Sequence, residues 1–207
     1  MKVLLINGSP NAKGCTYTAL LEVTKILNEE GIDTEIIQVG QKDIRGCIGC
    51  RSCKTTGVCV FHDSVNEVAP KFAACDGIII GSPVYYASAN GTLISFLDRL
   101  FYSCLTDKSM KVGAAIVSCR RGGASATFDE LNKYFTISGM PVVSSQYWNS
   151  VHGNTPDEVR QDKEGLQIMR TLGRNMAFLI KSIQLGKKEI GLPEKEDHIF
   201  TNFICKK

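Results

Sequence analysis

The sequence predicts a doubly wound α/β fold, in which a five-stranded parallel sheet carries helices on both faces. Short apolar runs alternate with helical patterns along the chain, as in repeated strand–helix–strand units. Two of these runs, VLLI at 3–6 and IIIG within 77–81, are those of strands buried on both faces. No internal repeat, low-complexity segment or linker interrupts the pattern. The chain is therefore predicted to form one domain over residues 1–207.

The first half of the chain supplies three of the five strands. The strand at 3–6 ends at Asn7, where the run NGSP breaks regular structure. A helix is predicted over 18–30 because apolar residues recur at helical spacing, and Gly31 follows as a C-terminal cap. The second strand covers 34–39. After a cysteine-rich loop at 46–62, Asp63 is predicted to cap a helix that runs to 74, and the third strand follows at 77–81.

The second half of the chain continues the alternation. Helices are predicted at 90–105, 124–138 and 156–184, the last with a break near Gly165. The fourth and fifth strands are predicted at 111–118 and 141–146. The lysine-rich tail from Gly186 is expected to be weakly ordered or to pack as an extension.

Composition limits the compartment and the partners. The chain has 207 residues and a net charge of +3, too small to predict binding to nucleic acid or to an anionic membrane. No apolar run approaches the roughly 20 residues that span a bilayer, and the N-terminus is too short for a signal peptide, so a cytoplasmic location is expected. The nine cysteines favour free thiols or metal ligation over a disulfide framework. Cys75, Cys104 and Cys205 are predicted to be structural thiols.

Three unusual loops, at 8–16, 82–90 and 119–123, follow predicted strands. In parallel sheets ligands bind beyond the carboxyl ends of the strands, so these loops are expected to share one crevice. The first loop opens a helix, whose free backbone N–H groups and dipole favour a phosphate, and Ser9 and Thr16 add hydroxyl donors. The plainer alternative is that both are ordinary loop and cap residues. His152, after the fifth strand, is a candidate either for the crevice or for a loop hydrogen bond.

The residues of these loops exclude several common cofactor motifs. The first loop lacks the G-x-G-x-x-G of nicotinamide dinucleotide sites, and the chain contains no Walker-type phosphate loop. Asn7 and Gly8 are not the acidic residues of a receiver-type phosphoacceptor. The second loop contains the tyrosine pair of SPVYYASANG, which suits a flat heteroaromatic ring. Gly122 and Gly123 in the third loop permit close backbone approach.

These loops resemble a known family. The stretches GSPNAKGCT, GSPVYYASANGTLISFLDRL and WNSVHG are similar to those of the flavodoxin-like, NAD(P)H-dependent FMN reductases, over essentially the whole chain. Within that family the pattern resembles the iron–sulfur flavoproteins and the quinone-reducing multimeric flavodoxins. The resemblance implies that the first loop cradles the FMN phosphate, the second lies along the isoalloxazine ring, and the third reaches the ring edge. The residues implicated are Ser9, Asn11, Gly14, Cys15 and Thr16 in the first loop, Pro83, Val84, Tyr85, Tyr86 and Asn90 in the second, and Cys119, Arg120, Gly122 and Gly123 in the third.

Four cysteines form a compact motif in the loop at 46–62. Cys47, Cys50, Cys53 and Cys59 have the spacing C-x2-C-x2-C-x5-C, which resembles a ferredoxin segment and suits a [4Fe–4S] cluster. A structural zinc ion is an alternative, although four-cysteine zinc sites usually pair two separated C-x2-C knuckles. Unligated thiols are the third possibility, because proteins that resemble this one can keep cysteines in this loop with only flavin bound.

The resemblance also implies a function. An FMN-dependent oxidoreductase would take hydride from NAD(P)H and pass electrons to a quinone, a free flavin, a nitro or azo compound, or a protein. The flavin carries the chemistry, so no dedicated acid–base side chain is expected. The resemblance implies a homodimer or homotetramer, with Tyr86, Phe101, Tyr102 and Trp148 as candidate interface aromatics. Two alternatives stay open: a non-enzymatic electron carrier, flavodoxin-like or cluster-bearing, and a redox sensor acting through the flavin or the four-cysteine motif.

Overall fold

The computed structural model describes residues 1–197, 199 and 201, so Cys205 lies outside the described residues. Strands and helices alternate as predicted. The strands are β1 (Lys2–Asn7), β2 (Asp33–Gln38), β3 (Gly77–Pro83), β4 (Val112–Cys119) and β5 (Ser150–His152). The helices are α1 (Cys15–Glu29), α2 (Ser52–Thr56), α3 (Ser64–Ala74), α4 (Gly91–Ser103), α5 (Ala124–Thr136), α6 (Pro156–Gln161) and α7 (Lys163–Glu189).

The five strands form one parallel sheet in the order β2-β1-β3-β4-β5. The chain moves from β1 outward to β2 and then returns across β1 to β3. The strand order therefore reverses between β1 and β3, which is the switch point where doubly wound sheets bind ligands. This order is that of the flavodoxin-like fold, and the predicted fold class is confirmed.

Two hydrophobic layers hold the helices against the sheet. Side chains of α3, α4 and α5 pack on one face, and those of α1, α6 and α7 pack on the other. The inner strands β1, β3 and β4 are buried almost along their whole length because both of their faces are covered. This burial explains their continuous apolar runs, since alternating apolar and polar residues would place polar side chains in one of the two hydrophobic layers. Cys75 and Cys104 are buried in the first layer, as predicted.

The predicted position of the fifth strand, 141–146, is wrong. That segment makes a single bridge, Gly113 to Val142, beside the start of β4. The chain then leaves the sheet, and α7 holds this excursion, because Asn175 donates to the Ser144 carbonyl at 2.8 Å. It returns to pair with the other end of β4 as β5, with Val117 opposite Ser150. The apolar residues of 141–143 resemble a strand because Val143 is buried against the sheet.

The C-terminal helix also differs from the prediction. The break lies at Asp162 rather than at Gly165, and Asp162 caps α7 by accepting from the Gly165 N–H at 2.9 Å. A Cβ on Gly165 would lie 2.3 Å from the Asp162 carboxylate, so the glycine marks the cap and not a break. Helix α7 continues to Glu189, past the predicted start of the tail at Gly186. Within the described part of the chain, no helix is both long and apolar enough to cross a bilayer.

Candidate functional site

A crevice with about 600 Å³ of empty space opens at the carboxyl end of the sheet, beside the switch point. Most of the residues predicted for the site line it, from all three loops. They are Ser9, Asn11, Cys15, Thr16, Pro83, Val84, Tyr85, Cys119 and Arg120. Ser118, Gly153 and Asn154 line it as well and were missed in the sequence, the latter two because the position of β5 was misjudged.

One end of the crevice is built to hold an anion. Helix α1 begins there with Gly14 at its N-cap, and no side chain caps the free N–H groups of its first turn. Ser9 is buried, and its Oγ accepts from the Asn11 N–H at 3.1 Å, which leaves its own proton available to a ligand. Thr16 Oγ1 lies 2.8 Å from Ser118 Oγ, so the hydroxyl pair retains one proton for a further acceptor.

Asn7 and Gln38 shape the first loop, a role that was not predicted for either residue. The Asn7 side chain donates to Gln38 Oε1 at 2.6 Å and accepts from the Ser9 N–H at 3.1 Å. Gln38 in turn donates to the Ser9 carbonyl at 2.7 Å. Gly40 passes so close that a Cβ there would lie 2.3 Å from the Gly8 and Ser9 backbone. The loop is therefore held from the β2 side by Gln38 and by the close passage of Gly40.

The second loop forms an apolar wall and ends in a strained turn. Pro83, Val84 and Tyr85 line the crevice. Tyr85 and Ser88 exchange backbone hydrogen bonds of 2.9 and 3.0 Å across the turn. The two residues between them, Tyr86 and Ala87, have φ values of 52° and 60°. Such turns favour glycine or asparagine, and each left-handed residue with a Cβ costs about 1 kcal/mol. Strain of this kind is commonly retained near ligand sites.

Glu130 of α5 holds this turn from outside the crevice. Its carboxylate accepts from Ser88 Oγ at 2.9 Å and from the Ala89 N–H at 2.8 Å. Both bonds go to a charged acceptor, which makes them stronger than neutral hydrogen bonds. Glu130 was not predicted as a site residue, because its part in the turn depends on how α5 packs.

Replacing Glu130 by alanine is expected to loosen the turn. Loss of a hydrogen bond to a charged group is worth about 1.5 kcal/mol or more, so the Ala89 amide should exchange with solvent at least tenfold faster. Hydrogen exchange read by NMR would measure this. The variant Asp129→Ala, at the exposed neighbouring position, should exchange as the parent does. Equal protection of Ala89 in the parent and in Glu130→Ala would contradict the assignment.

The third loop packs directly on the second. Gly123 has a φ of 87°, and a Cβ there would lie 2.8 Å from the Ala87 Cα. Arg120 is exposed and contributes a positive charge to the crevice. Burial raises the pKa of the Cys15 thiol and that of the Cys119 thiol. Both thiols are therefore uncharged at neutral pH, and neither repels an anionic ligand.

The remaining predicted residues lie beside the crevice and not in its lining. Gly14 is the N-cap of α1, Gly123 is the N-cap of α5, and Gly122 directly precedes Gly123. Asn90 caps α4 by accepting from the Leu93 N–H at 3.1 Å. Tyr86 projects from the strained turn and is fully exposed. Their assignment to a ligand stays a prediction.

His152 lies apart from the crevice, and its neighbour Gly153 takes the place in the lining. The His152 backbone N–H donates to Asp162 Oδ2 at 2.7 Å, and its ring Nδ1 lies 3.7 Å from the same oxygen. Of the two roles considered for His152, the geometry favours the loop hydrogen bond.

A second cavity contains the four-cysteine motif. Cys47, Cys50, Cys53 and Cys59 line one narrow cavity, which α4 closes from the other side. Cys53 is buried, Cys59 is half-buried, and Cys47 and Cys50 are exposed. Hydrogen bonds from Ser52 lower the pKa of the Cys50 thiol. The motif is thus gathered around one space although its members are spread over thirteen residues.

The donors of the cysteine cavity suit a sulfur-containing cluster. Ser103 of α4 lines the cavity, and its buried hydroxyl has no hydrogen-bond partner among the residues described. In the same part of the chain, no three His, Cys, Asp or Glu side chains converge to hold a single metal ion. Four thiols that line one space match the ligand number of a [4Fe–4S] cluster and that of a four-cysteine zinc site.

Comparison with known proteins agrees with this geometry. Residues 1–155 match the family described as NADPH-dependent FMN reductase. An iron–sulfur flavoprotein of Methanocaldococcus jannaschii is 35% identical over 192 residues, which cover 89% of this chain and all of the relative. An iron–sulfur flavoprotein of Methanosarcina thermophila is 29% identical over 90% of this chain and 99% of its own length.

Solved structures share the fold at low identity. RosB matches with a TM-score of 0.70 and 15% identity, over 100% of this chain and 95% of its own. An NAD(P)H:quinone oxidoreductase from Methanothermobacter marburgensis matches with a TM-score of 0.63 and 18% identity, over 84% of this chain and 94% of its own. On the match over 1–155 and the full-length similarity to the first relative, the chain belongs to the NADPH-dependent FMN reductase family and is a homologue of the iron–sulfur flavoproteins.

Proposed function

We propose that this protein is an oxidoreductase that binds FMN in the crevice and transfers electrons from NAD(P)H to a second acceptor. The observation that carries the proposal is the convergence of three loops on one space, with an anion site at one end and an apolar, aromatic wall beside it. A monoester phosphate joined to a flat ring system has this combination of properties. Membership of the FMN reductase family supports the same ligand.

Each part of the crevice has a distinct task in this proposal. The N–H groups of the first turn of α1, with the hydroxyls of Ser9 and Thr16, would hold the phosphate. Pro83, Val84 and Tyr85 would cover one side of the ring and exclude water from it. The bound flavin would supply the hydride and single-electron chemistry. We propose the same electron acceptors as those expected from the sequence, namely a quinone, a free flavin, a nitro or azo compound, or a protein.

The cysteine cavity is the proposed site of a [4Fe–4S] cluster. Four thiols around one space and an unpartnered buried hydroxyl at Ser103 support this assignment. Between Cys47 and Cys59 the chain carries Arg51 and Lys54 and no carboxylate, which suits an anionic guest. The cysteines would ligate the irons, and Ser103 would be free to donate toward sulfur.

A non-enzymatic electron carrier is the second candidate. It is favoured by the exposure of Cys47 and Cys50, which would bring a redox centre in the cavity within reach of a docked protein. Anaerobic turnover assays separate the two candidates. An enzyme oxidises NADH or NADPH with added quinone or flavin at a rate proportional to its bound FMN. Negligible oxidation of both nucleotides despite bound FMN would contradict the enzyme.

Cofactor content tests the proposal directly. Protein purified without oxygen is expected to contain one FMN, about four iron atoms and about four acid-labile sulfides per chain. Extraction with mass spectrometry identifies the flavin, and metal analysis counts iron and zinc. A preparation that takes up no FMN would contradict the function, whereas zinc in place of iron would contradict only the cluster.

We also propose a homodimer or homotetramer. Exposed aromatic side chains near the crevice support it, namely Tyr86, Tyr147 and Trp148, the last two in contact with ring centroids 5.1 Å apart. Of the other two predicted interface aromatics, Tyr102 is exposed, and Phe101 is half-buried with its ring against Phe72 at a centroid distance of 5.0 Å. Light scattering of the parent and of Trp148→Ser would compare the oligomeric states.

A further inference from the structure

Arg99 of α4 is a buried cation beside the cysteine cavity. Its side chain is 1% exposed, and it is among the largest fully buried side chains of the described residues. A buried arginine is costly unless its donors are satisfied. Here Nε donates to Cys59 Sγ at 3.3 Å, and the two terminal nitrogens donate to the Asp63 carboxylate at 2.6 and 2.9 Å.

Arg99 contacts both ends of the cysteine segment, which covers residues 45–61. One terminal nitrogen donates to the Arg45 carbonyl, before Cys47, at 3.1 Å. The other donates to the Phe61 carbonyl, after Cys59, at 3.3 Å. The guanidinium carbon also lies 4.9 Å from the centre of the Phe61 ring, in cation–π contact. One side chain therefore fixes where the segment enters and where it leaves the cavity.

Helix α4 links this anchor to the crevice. The helix is capped at Asn90, the last residue of the second loop of the crevice. Arg99 lies nine residues further on, which is about 13 Å along a helix axis. Arg99 thus ties the cysteine segment to the same rigid element that ends the flavin-facing loop.

The charge of Arg99 also matters for what the cavity can hold. A cluster ligated by four thiolates is anionic, and hydrogen bonds and positive charge near its sulfurs raise its reduction potential. Arg99 supplies both, at the sulfur of Cys59. The negative charge of Asp63 opposes the positive charge of Arg99. Asp63 accepts from the two terminal nitrogens, however, and so lies on the side of the guanidinium away from the Nε–H···Sγ bond.

We propose that Arg99 is a positioning residue of the cysteine site, which orients the Cys59 sulfur and raises the reduction potential of the cluster bound there. This inference rests on the proposed cluster. Groups that hold metal ligands in place typically contribute a factor of 10 to 100 to metal retention. A purely structural arginine would affect thermal stability alone.

Two conservative variants test the role. Arg99→Lys keeps the charge but loses the planar fork, so it should load iron and release it to a chelator at least tenfold faster than the parent. Its cluster potential should shift to lower values, because the bond to sulfur is lost. Asp63→Asn keeps a side chain able to cap α3 and removes the opposing charge, so its potential should shift to higher values. Arg170→Lys, which alters the arginine paired with Glu22 on the other face, is the matched control.

Anaerobic redox titration followed by electron paramagnetic resonance gives the potentials, and iron release is timed by absorbance. Shifts of opposite sign in the two variants support the proposal. If both variants keep the parent's cluster reduction potential and its rate of iron release, the role of Arg99 is structural and the inference is overturned. This holds even if the melting temperatures of the variants change. A parent that takes up no iron would instead overturn the cluster itself.

Discussion

Replacing Cys50 and Cys53 by serine together is expected to abolish iron binding while one FMN per chain is retained. A [4Fe–4S] cluster needs four thiolates, and serine hydroxyls do not replace two of them. The flavin should be unaffected because the residues lining the cysteine cavity and those lining the crevice do not overlap. Iron, acid-labile sulfide and flavin are measured on the same anaerobic preparation.

The same variant tests whether the cysteines take part in flavin reduction. Flavin reduction by NAD(P)H should proceed at the parent's rate, since that step involves only the crevice. Loss of flavin reduction would favour a sensor or an electron route that depends on the thiols. The control is Cys104→Ala, a buried thiol at the end of α4 that does not line the cavity. Iron retained in the double variant would contradict the assignment of the ligands.

The double variant Ser9→Ala, Thr16→Ala is expected to bind FMN about 100-fold more weakly. Each hydroxyl can donate one hydrogen bond to a phosphate oxygen, and a bond to a charged acceptor is worth about 1.5 kcal/mol or more. Two such bonds amount to about 3 kcal/mol, and each 1.4 kcal/mol is tenfold in affinity. Fluorescence titration of the apoprotein with FMN measures the loss.

A matched control separates the hydroxyls from the fold. Thr18 lies in the same turn of α1, and its hydroxyl donates to the Gly14 carbonyl at 3.1 Å without lining the crevice. Thr18→Ala should bind FMN as the parent does, and Thr16→Ser should restore most of the affinity lost in Thr16→Ala. If the double variant binds FMN as tightly as the parent, the phosphate is held by backbone groups alone or lies elsewhere.

Most of the crevice could be predicted because it follows from strand ends. Once β1 and β3 are placed by their apolar runs, the loops after them must meet at one edge of a parallel sheet. Ser9, Thr16 and Tyr85 were therefore predicted to lie at this edge from sequence position and residue type together, and the family resemblance added Pro83.

The supporting residues could not be predicted, since their roles depend on elements distant in sequence. Glu130 reaches the Ser88–Ala89 turn only because α5 packs beside it. Gln38 contacts the first loop from a neighbouring strand. In the sequence, nothing distinguishes Arg99 from the other polar residues of an amphipathic helix. Its burial against Cys59 and Asp63 depends on how the cysteine segment folds over α4.

By itself, the sequence determined the fold class, the position of the first loop between β1 and α1, and the four-thiol motif. These properties are local, because they rest on apolar runs, turn residues and short spacings. The tertiary structure alone decided that β5 lies at 150–152, that the four thiols surround one cavity, and that a buried arginine closes it. Those features arise from packing between segments far apart in the chain, where burial and hydrogen-bond satisfaction override the local pattern.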